Sequence, residues 1–266
     1  MRILATNDDG VYSPGLRILV KRLSEAGEVL VIAPDRERSA IGHSFSMHHP
    51  IRVREIEPGI VSSDGTPTDC VMLGVLGYSD RKPDLVVAGI NLGPNMGTDV
   101  TYSGTVSAAL EATILGVPAF SLSLDIPRYV EPKNEPIHWE TAAGFAKRLA
   151  EIVAREGLPE GVFLNVNVPN QPPEEIRGVE ITRLGQRVYR DKVIRRVDPL
   201  GKEYFWVGGE HPTWVPEEGT DFSAVAENLI SVTPISFRLT ALEAIDQLKE
   251  WRQHLNGAPE STKRNT

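Results

Sequence analysis

Three polar clusters in this chain each follow a short run of aliphatic and β-branched residues, and this repetition constrains the fold more than any other feature. The clusters span 7–10, 35–39 and 91–95, after predicted strands at 2–6, 29–33 and 85–88. In an open parallel sheet, the loops at the carboxyl ends of the strands share one edge and bind ligands there. We therefore expect the three clusters to build a single site.

The order of the remaining elements predicts a doubly wound α/β fold. Ser13 and Pro14 read as an N-cap followed by proline at the first helical position, so residues 1–33 predict strand, helix, strand. Such a βαβ crossover makes its two strands parallel. Further strands are predicted at 51–56, 84–88, 117–124 and 162–168, and further helices at 66–78, 105–115 and 137–155. This alternation favours a mostly parallel sheet with helices on both faces.

The chain after Pro169 predicts a different arrangement. Residues 178–207 suggest a long β-hairpin whose mixture of Arg, Tyr, Trp and Val gives neither face an obvious core. An isolated hairpin is marginally stable, so packing on another subunit would be one way to stabilise it. A strand at 230–235, an amphipathic helix at 241–255 and a polar, disordered tail at 256–266 complete the prediction.

Composition bounds the classes of function. The net charge of −8 is a poor match for a nucleic-acid duplex, whose affinity for proteins comes from Lys and Arg. No apolar run approaches the roughly 20 residues that span a bilayer, and the chain starts without a signal region, so we expect a cytoplasmic protein. Cys70 is the only cysteine; it excludes an intrachain disulfide, and its apolar surroundings predict a buried core residue.

Asp8 and Asp9 indicate a metal site. Two carboxylates about 4 Å apart repel by about 4 kcal/mol at an effective dielectric of about 20, and a divalent cation removes that penalty. A solvated turn is the alternative interpretation of this pair alone. The other clusters add Ser39, Asn91 and Asn95 as neutral oxygen donors. A set made of oxygen atoms favours Mg²⁺, Mn²⁺ or Ca²⁺ over zinc.

A predicted helix start beside the third cluster indicates an anion site. The backbone N–H groups at the beginning of a helix, with the hydroxyls of Ser103 and Thr105, can bind a phosphate, although plain capping by Ser103 is an equal alternative. A cation next to an anion-binding helix end suits a phosphate ester, with a metal that activates water. His43 is a weaker candidate for an acid, because histidines near loops are commonly structural.

A set of motifs in a fixed order gives the chain a resemblance to the SurE survival-protein family of nucleotidases. The matching segments are Thr-Asn-Asp-Asp-Gly at 6–10, Ala-Pro-Asp-Arg-Glu-Arg-Ser at 33–39, Gly-Thr-Pro-Thr-Asp-Cys at 65–70, Gly-Ile-Asn-Leu-Gly-Pro-Asn at 89–95, Tyr-Ser-Gly-Thr-Val at 102–106, Asn-Val-Asn-Val-Pro at 165–169 and Ser-Val-Thr-Pro-Ile at 231–235. The resemblance covers residues 1–245, and no expected ligand position departs from it.

The resemblance implies a metal-dependent phosphomonoesterase that hydrolyses nucleoside 5′- and 3′-monophosphates, with polyphosphate as a further candidate substrate. It implies that Mg²⁺ or Mn²⁺ is bound by Asp8, Asp9, Ser39 and either Asn91 or Asn95. Residues that would face the phosphate are Asn7, Ser103, Gly104 and Thr105. A nucleotide-binding module without turnover and a metal-dependent nucleoside hydrolase are the alternatives.

The resemblance also implies an architecture and an assembly. We expect a Rossmann-like catalytic core at 1–177, with a protruding β-hairpin and C-terminal helix. Residues 178–255 would be exchanged between the subunits of a homodimer or tetramer, which would bury the hairpin that the pattern leaves exposed.

Overall fold

The computed structural model describes residues 1–126, 136–188, 191–209 and 213–256. In chain order its elements are β1 (Arg2–Thr6), α1 (Pro14–Leu23), β2 (Glu28–Pro34), β3 (Val53–Glu57), β4 (Ile60–Ser63), α2 (Pro67–Leu76), β5 (Leu85–Leu92), α3 (Gly104–Ile114), β6 (Ala119–Asp125), α4 (Trp139–Glu156), β7 (Val162–Pro169), β8 (Gly178–Ile181), β9 (Arg187–Val188), β10 (Asp191–Val197), β11 (Glu203–Gly209), β12 (Thr213–Trp214), α5 (Asp221–Ala226), β13 (Leu229–Ser236), α6 (Leu242–Lys249) and α7 (Arg252–Leu255). Short 3-10 helices lie at Gly97–Thr101 and Pro173–Glu175.

The main sheet has the strand order β3-β4-β2-β1-β5-β6-β7-β13-β8. The strands from β4 to β7 in this order are mutually parallel, whereas β3 and β13 are antiparallel to β4 and β7. Helices cover both faces, which separates the apolar interior into distinct clusters. One cluster joins α1 and α4 to the sheet and another joins α2 and α3 to its opposite face. The expected doubly wound α/β architecture is confirmed.

Helices α1 and α2 begin where their capping residues predict. Ser13 accepts the N–H of Leu16 and is followed by Pro14 at the start of α1. Thr66 and Asp69 form a reciprocal capping box at the start of α2. Cys70, on α2, is buried as expected, and burial raises the pKa of its thiol to about 12.

The second half of the chain differs from the prediction. Strands β8 and β13, which we expected outside the core, extend the main sheet beyond β7, because residues 231–236 of β13 pair with β7 and β8 pairs with β13. The hairpin is therefore shorter than predicted and consists of β10 and β11. The last helix is divided into α6 and α7. The predicted tail lies outside the described residues except for Asn256.

The hairpin and α6 present apolar side chains to solvent. Trp206 is 63% exposed and Val207 is 77% exposed in β11, and Leu242 and Leu248 of α6 are also exposed. No helix in the described part of the chain is long and apolar enough to cross a bilayer.

Candidate active site

The first and third polar clusters lie where the strand order reverses. From β1 the chain runs to β2 and β4 on one side, and from β5 it runs to β6 and β7 on the other. Asp8 and Asp9 directly follow β1, and Asn91 lies at the end of the neighbouring strand β5. The crevice at such a switch point is the usual ligand site of an open α/β sheet.

Asn7 shapes the loop after β1. Its amide nitrogen donates to the carbonyl oxygen of Gly10 at 3.1 Å and to Oγ of Ser13 at 2.7 Å. Its Oδ1 accepts the N–H of Gly10 at 3.2 Å, and the side chain is buried. Both amide hydrogens are therefore used within the loop. Asn7 is therefore a loop-positioning residue, and its expected role towards phosphate stays a prediction.

Asp8 is bound by the first residues of α3. Its Oδ1 accepts the hydroxyl of Thr105 at 2.5 Å, and its Oδ2 accepts the Thr105 N–H at 3.2 Å. Only 3% of Asp8 is exposed. A carboxylate at a helix N-terminus is stabilised by the helix dipole. Thr105 thus orients Asp8, and its expected role towards phosphate stays a prediction.

Gly104 allows α3 to approach Asp8. A Cβ atom added to Gly104 would lie 2.9 Å from Cβ and 3.0 Å from Oδ2 of Asp8. The preceding residue, Ser103, is buried and caps α3, because its hydroxyl accepts the N–H of Val106 at 3.1 Å. Ser103 therefore caps α3, as one of the two interpretations of the sequence predicted. A role of Ser103 in binding phosphate stays a prediction.

Asp9 connects the first loop to the third. Its Oδ2 accepts the N–H of Leu92 at 3.2 Å, and Leu92 is the last residue of β5. The carboxylate therefore lies beside the residue that follows Asn91. This contact joins the carboxyl ends of two adjacent parallel strands, β1 and β5. We call this edge of the sheet, where the parallel strands end, the rim.

Asn91 and Asn95 have different environments. The amide nitrogen of Asn91 donates to the Gly93 carbonyl at 2.7 Å, but its buried Oδ1 has no hydrogen-bond partner among the described residues. A buried polar atom without a partner costs about 1–3 kcal/mol, so a water molecule or a cation bound at this oxygen would stabilise it. The amide nitrogen of Asn95 donates to Oγ of Ser123 at 2.8 Å, and its oxygen is not among the buried side-chain atoms of the described residues that lack a partner. The orphaned oxygen distinguishes Asn91 from Asn95 as the better candidate ligand.

The loop that carries Ser39 is attached to the same rim. The N–H of Arg38 donates to the carbonyl of Asp8 at 2.7 Å. Gly10, at φ +100°, lies against this loop, since an added Cβ would be 3.1 Å from the carbonyl carbon of Arg36. Ser39 itself is half-buried and its hydroxyl donates to Glu37. All three predicted loops are thus brought together by direct contacts.

The donors gathered at this rim are carboxylate, amide and hydroxyl oxygens. Among the described residues, no three His, Cys, Asp or Glu side chains form a group that could hold an ion. A cation here would therefore depend on neutral oxygens beside the two aspartates, which is ligand chemistry suited to Mg²⁺ or Mn²⁺. The orphaned Oδ1 of Asn91 is consistent with this donor set.

His43 lies beside α3. Its Nε2 is 2.8 Å from Oε2 of Glu111, which is two helical turns beyond Ser103. This pair, together with the bond from the Gly42 N–H to the Tyr102 carbonyl, attaches the loop after β2 to the helix. The contact supports a structural role for His43.

The sequence analysis missed Asp125. It ends β6 at the same rim and is paired in register with Pro169 of β7. Burial raises its pKa from an ordinary 3.8 to about 6. The signal was present in the sequence, because Asp125 directly follows a predicted strand just as the 7–10 cluster follows β1.

Replacing Asp125 with Asn should stabilise the fold at alkaline pH. Because the folded pKa is above the unfolded one, the folded protein retains a proton between about pH 4 and pH 6, and the charged carboxylate destabilises the fold as pH rises through this window. We expect Asp125→Asn to raise Tm at pH 8, with a gain that shrinks at pH 5, measured by calorimetry. The exposed Asp80→Asn variant is the control. An equal Tm difference at both pH values would contradict the assignment.

Comparisons with known proteins agree with the geometry. Residues 3–191 match the family described as Survival protein SurE. The protein named 5′-nucleotidase SurE of Geobacter sulfurreducens is 49% identical over 251 residues, covering 94% of each chain. That of Geotalea uraniireducens is 48% identical over 251 residues, covering 94% of this chain and 99% of the relative.

A solved structure shares the fold. The crystal structure of the SurE protein from Aquifex aeolicus is 41% identical, covers 95% of this chain and 100% of its own, and superposes with a TM-score of 0.83. The family resemblance inferred from the motifs is confirmed. The chain belongs to the SurE survival-protein family.

Proposed function

We propose that this protein is a divalent-metal-dependent 5′-nucleotidase, a phosphomonoesterase that releases inorganic phosphate from nucleoside 5′- and 3′-monophosphates. The observation that carries the proposal is the position of Asp8, between the oxygen donors of the switch point and the N-terminus of α3. A cation and a phosphate can be neighbours there. Both relatives described above bear the name 5′-nucleotidase SurE, which supports the same activity.

The metal would be held by Asp8, Asp9, Ser39 and Asn91. Mg²⁺ and Mn²⁺ both suit these donors, and a bound ion supplies a Lewis acid that polarises the phosphoryl group and lowers the pKa of water. The protein residues hold the geometry: Thr105 orients Asp8, and Asp9 is held by the Leu92 N–H. Ser103 and Gly104, at the start of α3, would lie next to the phosphate.

Comparing Asn91→Ala with Asn95→Ala tests the ligand assignment. Asn91→Ala removes the orphaned oxygen, so we expect the Kd for Mn²⁺ to rise by about tenfold or more, measured by titration calorimetry. Asn95→Ala leaves the main chain of residue 95 bonded to β7 and should change the Kd much less. A larger rise in Asn95→Ala would transfer the ligand role to Asn95.

A substrate panel tests the reaction itself. Purified protein with Mg²⁺ or Mn²⁺ should release phosphate from nucleoside monophosphates, and EDTA should stop the release. Polyphosphate belongs in the same panel. Release of free base without phosphate would instead indicate a nucleoside hydrolase. Saturable nucleotide binding without either product would indicate a binding module without turnover.

We further propose that the protein forms a homodimer or tetramer in the cytoplasm. The exposed apolar residues of β10, β11 and α6 support this, because a protruding hairpin with Trp206 and Val207 on its surface gains stability from a second copy. Exchange would involve this hairpin and the C-terminal helices, leaving the catalytic core formed mainly by residues 1–177. Light scattering would give the mass as a multiple of 29.2 kDa.

A further inference from the structure

Two asparagines interrupt the apolar pattern of β7. Asn165 and Asn167 are fully buried and point to one face of the sheet, since they are two residues apart. Asparagine is depleted in strand interiors, and a buried amide is costly unless its polar atoms are bonded. The partners of these two side chains therefore indicate why they are there.

Both side chains bind the peptide groups of one loop residue, Asn95. Oδ1 of Asn167 accepts the Asn95 N–H at 2.8 Å, and its Nδ2 donates to the Asn95 carbonyl at 3.0 Å. Nδ2 of Asn165 donates to the same carbonyl at 2.8 Å. Oδ1 of Asn165 accepts the hydroxyl of Ser121, at 2.8 Å. Asn95 is thus held by side chains that come from 70 and 72 residues away in the chain.

The clamp at Asn95 fixes the far end of the loop that begins at Asn91. The near end is paired with Ser123 of β6, and in the middle the Gly93 N–H donates to the Leu124 carbonyl at 3.0 Å. The side chain of Asn91 is oriented by its bond to the Gly93 carbonyl. If Asn95 were released, Gly93 could shift, and the orphaned oxygen of Asn91 would shift with it.

We propose that Asn167, supported by Asn165, is a positioning residue that holds the Asn91 loop in the geometry required for metal binding. The inference rests on the proposed metal site. Residues that orient a ligand through a hydrogen bond commonly change metal affinity by about 10–100-fold when they are replaced. Asn167 acts one step further away, through the main chain, so its effect should be smaller.

A purely structural role predicts a different outcome. If the two amides only stabilised the sheet, their loss would lower Tm without changing the affinity of the folded protein for Mn²⁺. A matched control is available in the same strand, because Val166 is equally buried but packs on the opposite face, in the α1–α4 cluster. Val166→Ala should therefore lower stability while leaving the rim intact.

The experiment is titration calorimetry with Mn²⁺ alone on the folded variants, together with phosphate release at saturating Mn²⁺. We expect Asn167→Ala, which loses two bonds to the Asn95 peptide, to raise the Kd by about threefold to tenfold. Asn165→Ala loses one bond to that peptide and should raise it less. With Mn²⁺ saturating, kcat should recover most of the wild-type value, whereas Val166→Ala should bind Mn²⁺ normally.

The possible outcomes separate the positioning role of Asn167 from the existence of the metal site. An unchanged Kd in Asn167→Ala, or an equal rise in Val166→Ala, would overturn the positioning role. If Asn167→Ala does not fold, Asn165→Ala carries the same comparison. Asp9→Asn is included as a reference, and normal Mn²⁺ binding by that variant would refute the metal site itself. Loss of Mn²⁺ binding in Asp9→Asn, together with an unchanged Kd in Asn167→Ala, would refute only the positioning role.

Discussion

Replacing Asp9 with Asn is expected to lower phosphate release from a nucleoside monophosphate by roughly 10³-fold, the upper range for loss of one preorganised electrostatic group. The fold should be retained, because the Oδ1 atom of an asparagine can still accept the N–H of Leu92, as Asp9 does. The variant loses the charge that would hold a divalent cation at the rim. Steady-state release of phosphate with Mn²⁺, alongside Tm, measures both effects.

Asp9→Asn is a cleaner test than Asp8→Asn. An amide at position 8 would place its nitrogen against either the hydroxyl or the N–H of Thr105, both of which donate to Asp8. Asp198→Asn is a matched control, since Asp198 also accepts backbone N–H groups, from Leu200 and Lys202, in the hairpin turn. Full activity of Asp9→Asn with metal present would refute the proposed site, and so would activity that EDTA leaves unchanged.

The parallel core was predictable because its strands are short apolar runs that end in polar loops. Strands β1, β2, β5, β6 and β7 all follow that pattern. Strand β4 was not predicted, because its four residues after Gly59 are too few for an alternating pattern to be recognised. Strands β8 and β13 were separated from the core because β13 joins it by pairing with β7, across more than 60 residues, and β8 joins it only through β13. No local pattern encodes these contacts.

The location of the site was also predictable, but its hydrogen bonds were not. Three loops after three parallel strands must share one edge, and the structure brings them together. The placement of Asn95 depends on Ser123 and Asn167, which lie 28 and 72 residues away and bind its side-chain nitrogen and its main-chain N–H. The side chain of Asn7, by contrast, bonds within its own loop, to Gly10 and Ser13. Residue type and spacing identified the donors, and packing assigned their partners.

Gly104→Ala is expected to lower kcat/KM by about 10²-fold, the loss that a displacement of about 1 Å at a reacting centre can cause. Alanine favours helices more than glycine does, so local helix propensity predicts a more stable α3. The new Cβ, however, would lie 2.9 Å from Cβ of Asp8, which is closer than real Cβ contacts allow. Either α3 or Asp8 must then move, and the bond between Thr105 and Asp8 would move with it.

Gly144→Ala is the matched control for this substitution. Gly144 lies inside α4, and a Cβ atom added there meets nothing within 4 Å. It should gain about 0.5–1 kcal/mol from helix propensity and keep full activity. A Gly104→Ala variant with raised Tm and unchanged kcat/KM would show that the spacing between α3 and Asp8 is not critical. A normal Tm together with the predicted loss of kcat/KM would instead show that glycine at position 104 is required for the position of Asp8, because the stability of the fold would be unchanged.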